Sequence, residues 1–78
     1  MTLTLYHFQG CPYCARVRDY LDSQSISVPM KDIHQDPGAK EELIKISGKS
    51  QVPCLVVDAK PMFESLDIIE WFKRTYKK

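Results

Sequence analysis

The chain has 78 residues, 44% of them hydrophobic and 27% charged, the profile of one small folded domain (1–78) with a core of modest size. Eleven basic against ten acidic side chains leave a net charge of +1, so no field draws nucleic acid or an anionic membrane, and no stretch approaches a membrane span. Three cysteines are too few for a secreted disulfide framework, and the start lacks a basic-apolar leader pattern, so a reducing, cytoplasmic setting is expected.

Thr2 to Phe8 reads as a strand, with Leu3 and Leu5 on one face and Thr4, Tyr6 and Phe8 on the other, which suits a strand covered on both sides. Gln9-Gly10 breaks it. From Pro12 the period changes: Cys14, Val17 and Leu21, with Tyr13 and Tyr20 beside them, form a helical stripe opposite Arg16, Arg18, Asp19 and Asp22. Pro12 suits the first turn, where a missing N–H costs nothing, and Ser23-Gln24-Ser25 closes the helix.

Ser27 to Ile33 reads as a second strand, and Pro29, unable to donate to a ladder, argues for an edge position. Asp36 is the expected N-cap of a second helix with Pro37 at its first position, Leu43, Ile44 and Ile46 as its buried stripe and Gly48 as its stop. Val52 to Val57 is a continuous apolar run of strand length, interrupted only by Pro53. Asp58-Ala59-Lys60 turns into Met62-Phe63, giving a hairpin. Ser65 is the expected cap of a last helix with Leu66, Ile69 and Phe72 on its apolar side and Ile68, Trp71 and Tyr76 nearby. The order is β-α-β-α-β-β-α. The first two strands, joined through a helix, are expected to run parallel and the final pair antiparallel, so the expected fold is α/β, one mixed four-stranded sheet with helices on both faces.

The chemistry concentrates in Gly10-Cys11-Pro12-Tyr13-Cys14, a C-x-x-C pair where strand gives way to helix. A thiol attacks as thiolate, and Cys11 stands just before the helix, where unpaired N–H groups and the macrodipole favour an anion and the sulfur is expected at the surface. Cys14 lies one turn in, on the apolar stripe, and is expected to be more buried and less ionised. That asymmetry makes Cys11 the attacking and Cys14 the resolving sulfur. The alternatives are weaker. A staple closing so small a loop contributes little, and zinc would need ligands from Cys54, His7 and His34, with no second C-x-x-C to complete it; no metal is expected. Cys54 reads as a small buried hydrophobe, His7 and His34 as structural or solvated, and Arg16 and Arg18 as a solvated helix face.

With the C-P-Y-C helix start, the mid-chain Val52-Pro53 and this element order, the whole chain resembles a dithiol glutaredoxin. The resemblance implies a thioredoxin-like fold and a thiol–disulfide oxidoreductase that uses glutathione as co-substrate to reduce disulfide-bonded or glutathionylated proteins. It implies that Tyr13 flanks bound glutathione and that Val52 precedes a cis Pro53, with the Val52 backbone pairing to the cysteinyl part of glutathione; the sequence alone leaves a trans Pro53 open. In place of the usual Gly-Gly and acidic residue stands Met62-Phe63-Glu64-Ser65, which, like Gln51-Val52-Pro53, is similar to the N-terminal domain of glutathione transferases. There Ser65 and the last helix's N–H groups would hold the γ-glutamyl carboxylate and Glu64 the ammonium. The family's lysine shortly before C-P-Y-C is missing, since Phe8-Gln9-Gly10 stand there, leaving Lys49 or Gln51 for the glycyl carboxylate. A monomer is expected, and the rival readings are a redoxin served by thioredoxin reductase and an iron–sulfur carrier, against which Pro12 speaks.

Overall fold

The computed structural model describes residues 2–75. The order is β1 (Leu3–His7), α1 (Pro12–Ser23), β2 (Met30–Asp32), α2 (Ala39–Ser47), β3 (Cys54–Val57), β4 (Lys60–Met62) and α3 (Ser65–Thr75). The sheet order is β2-β1-β3-β4; β1 and β2 are parallel, and β3 is antiparallel to both β1 and β4. This is the expected mixed four-stranded, thioredoxin-like fold, with β2 at an edge.

Alternation along β1 and β3 builds two cores. Leu3, Leu5 and Leu55 point to one face, where Val17 and Leu21 of α1 and Ile68 and Phe72 of α3 cover them. Tyr6, Cys54 and Val56 point to the other, under Leu43 of α2. The Tyr6 hydroxyl donates to Glu42 Oε1 at 2.6 Å, and Lys31 closes an ion pair on the same oxygen. One polar tip on the second face is thereby satisfied at the edge of the core.

Several boundaries differ from the sequence reading. β2 begins at Met30; Pro29 stays outside, yet its carbonyl accepts from Leu5 N at 2.9 Å. Asp36 is not the cap of α2. Gly38, with φ 80°, holds that place, and Asp36 instead accepts from Asp32 N through Oδ2 at 2.7 Å and from Ala39 N through its carbonyl at 3.1 Å. A left-handed residue cannot continue a helix, so the start moves past it. β3 begins after Pro53, which lacks a ladder donor. The hairpin turn tightens to Asp58 and Ala59, both with positive φ (48° and 68°), as two-residue hairpins of right-handed twist require, which shifts β4 to Lys60–Met62. Leu43 is buried as expected, but Ile44 (42% exposed) leaves the stripe of α2, and Leu66 (67%) leaves that of α3, which turns Ile68 inward instead. Tyr76 lies outside the described residues.

Candidate active site

Pro12 opens α1 and Cys11 caps it, with extended backbone (φ −87°, ψ 117°). The Cys11 sulfur accepts from Cys14 N at 3.3 Å, and Cys11 N donates to Phe8 O at 3.3 Å. A helix start that would leave its first N–H groups without partners thus offers one of them to sulfur. The expected surface sulfur needs correcting: Cys11 is only 6% exposed. The cap itself is the reason, because the bond that steadies the sulfur also draws it back against the first turn. Cys14 is fully buried, as its place on the stripe demands, and burial together with the hydrogen bond to Cys11 pushes its thiol up to about 12. Both thiols, like Cys54, are free. Cys54 is wholly buried in β3, and burial pushes it up to about 11.

A cleft of about 410 Å³ is lined by Tyr13, Gln51, Val52, Pro53, Glu64 and Ser65. Three separate segments meet there: the first turn of α1, the residues entering β3 and the start of α3. Tyr13 stands 58% exposed with the Arg16 guanidinium 5.9 Å from its ring centroid. The Val52–Pro53 bond is cis. Ser65 is the first residue of α3 and is buried, whereas Glu64, with φ 70°, occupies the position ahead of it. Ser65 is therefore a first-turn residue rather than the cap, and the Glu64 carbonyl accepts from Ile68 N at 3.0 Å. A non-glycine residue held in the left-handed region costs on the order of 1–3 kcal/mol and is found preferentially at ligand sites. The structure brings all six of these sequence-selected residues to one cleft but does not put Cys11 or Cys14 on its lining. Of the two candidates for the glycyl end, Gln51 lines the cleft, while Lys49 holds its ammonium 4.4 Å from the Phe63 ring centroid.

Arg18 departs from the solvated helix face expected of it, while His7 takes the structural of the two roles expected for it. His7 is buried at the end of β1, and Arg18 Nη1 lies 3.0 Å from its Nδ1 and 3.4 Å from Phe8 O. Burial first, then the Arg18 charge, lower His7 below its ordinary value; Asp32 and Asp36 pull the other way. The available signal was spacing, because Arg18 is four residues after Cys14 and so lies above it on the helix. His34 is exposed and stacks on Phe8, ring centroids 4.6 Å apart. Among the described residues, no three His, Cys, Asp or Glu side chains come together as a metal site. No described helix is long and apolar enough to cross a membrane.

The glutaredoxin family model matches residues 3–62, the span that carries the C-x-x-C pair, the cis proline and the hairpin. The chain belongs to the glutaredoxin family. Glutaredoxin 3 of Escherichia coli K12 is 36% identical over 55 residues, which cover 70% of this chain and 66% of that relative, just under two thirds of its length. Among solved structures, a glutathione transferase Omega 3C from Trametes versicolor superposes with a TM-score of 0.82 at 26% identity, over 100% of this chain and 35% of that one. Glutaredoxin 2 of Salmonella typhimurium, solved in complex with glutathione, gives 0.79 at 24% identity, over 99% and 35%. That second likeness concerns the fold.

Proposed function

We propose that this glutaredoxin-family chain is a glutathione-dependent thiol–disulfide oxidoreductase of the cytoplasm, acting on glutathionylated and disulfide-bonded proteins. The observation that carries the reading is the cleft lined by Tyr13, Gln51, Val52, Pro53, Glu64 and Ser65 beside a C-x-x-C helix start. Its chemistry suits a zwitterionic peptide: a carboxylate for an ammonium at Glu64, a hydroxyl and helix N–H groups for a carboxylate at Ser65, and an aromatic wall at Tyr13.

Cys11 Sγ, as thiolate, attacks the glutathione sulfur of a mixed disulfide. The protein sulfur leaves and takes up a proton, and Cys11–S–S–glutathione remains. A second glutathione thiolate attacks the bound glutathione sulfur, releasing glutathione disulfide and restoring Cys11. With a protein disulfide, Cys11 attacks one sulfur, Cys14 then attacks Cys11 Sγ, and the intramolecular disulfide is reduced by two glutathiones. The start of α1 faces the Cys11 sulfur with the Cys14 N–H, an arrangement that stabilises developing negative charge. The potential expected for such a pair is about −200 to −230 mV.

The test is the electron donor. Reduction of a glutathionylated peptide is expected with glutathione and glutathione reductase, absent with thioredoxin reductase alone, and lost in Cys11→Ser. Full turnover with thioredoxin reductase alone, or in Cys11→Ser, overturns the reading.

A further inference from the structure

His7 and Arg18 are not used by the exchange chemistry above, yet they reach the Phe8 backbone that also holds Cys11. A guanidinium can only donate, so His7 Nδ1 accepts the 3.0 Å bond and neutral His7 keeps its proton on Nε2. The same Arg18 nitrogen reaches Phe8 O, the carbonyl that also accepts from Cys11 N. His7 therefore seats Arg18, and Arg18 grips the carbonyl that anchors the Cys11 backbone.

The resolving step gives that charge a task. Once Cys11 is tied up in a mixed disulfide, Cys14 must lose its proton and attack Cys11 Sγ. The Cys11–Cys14 bond forms, the bond to the substrate sulfur breaks, and the departing thiolate takes up the proton. Burial opposes ionisation of Cys14, while the Arg18 charge and a hydrogen bond from the Phe8 backbone favour it. We propose that Arg18, seated on His7, is a positioning residue for the resolving step: it fixes the Phe8 carbonyl behind Cys11 and holds a permanent positive charge one turn above Cys14. The proposal rests on the reading of Cys11 as attacking and Cys14 as resolving sulfur.

The test uses the reduced protein in a Cys54→Ala background, mixed rapidly with an aromatic disulfide whose leaving thiolate is coloured. One chromophore leaves when Cys11 attacks and a second when Cys14 displaces the first adduct. In Arg18→Met the second phase is expected to slow roughly threefold to tenfold at neutral pH, with its pH profile moved to the alkaline side, and Arg18→Lys is expected to restore the profile. His7→Leu, which unseats the guanidinium without removing it, moves the second phase in the same direction. An unaltered second-phase profile in either variant, when that variant melts as a folded protein, overturns the proposal. Release of only one chromophore by the unsubstituted chain would instead overturn the dithiol reading beneath it.

Discussion

The two halves of the candidate site are built in opposite ways. The sulfur end comes from one unbroken run, Phe8 to Arg18, in which the strand end, the cap, Pro12 and the first helical turns follow one another. The cleft comes from three segments remote in sequence, Tyr13, Gln51–Pro53 and Glu64–Ser65, which meet only because β3 lies beside β1 and α3 packs against α1. The difference teaches where each property resides. The reactivity of a helix-capping sulfur is local physics and survives much tertiary change, whereas the cleft is a product of assembly. Substitutions in the cleft are therefore expected to change recognition while leaving the order of sulfur chemistry intact.

The larger effect expected from breaking that comparison falls on Glu64. Glu64→Gly removes the carboxylate proposed to meet the glutathione ammonium and is expected to raise KM for glutathione by about tenfold, the worth of a charge-assisted hydrogen bond. The same change releases the positive φ and is expected to stabilise the fold by at most about 1 kcal/mol. Steady-state kinetics and urea unfolding read the two effects separately. A variant that gained stability and kept its KM would leave the strained backbone without a ligand-binding purpose.

The smaller effect lies at the sulfur end. His7 is lowered in the folded chain, so as pH falls through its ordinary value of 6.5 the unfolded chain takes up the proton first. Stability linked to this group is therefore complete above that pH and is lost below it, with a slope no steeper than about 1.4 kcal/mol per pH unit. His7→Gln is expected to flatten the curve between about pH 7 and about pH 5.5, measured as urea midpoints, while carboxylates such as Asp32 and Glu42 act at lower pH. An identical slope in the variant would mean that His7 shares no protonation with folding.

The legible parts of the molecule divide along the same line. Alternation in β1, the Cys14–Val17–Leu21 stripe and Pro12 at the helix start are local patterns, and each stands in the structure where the sequence put it. The cleft residues were legible only through resemblance to a family, since nothing in the spacing of Gln51 and Glu64 says that they meet. What misled were positions at which two local signals compete. Asp36 is a good cap, but Gly38 two residues later takes the left-handed turn and moves the helix start. Ile44 and Leu66 fit helical stripes by period, but the rotation of a helix on a sheet is set by its neighbours. Cys11 lies deeper than its place ahead of the helix implies for a related reason, because its sulfur turns back onto the first turn to accept from Cys14 N.

The central claim is that Cys11 is the sulfur that glutathione meets. Its most direct test is to treat reduced Cys14→Ser with glutathione disulfide and map the adduct by peptide mass analysis. The prediction is a single glutathione on the peptide carrying Cys11, removed again by excess glutathione, with Cys54 unmodified in the folded protein. An adduct on Cys54, or none on Cys11, would contradict it.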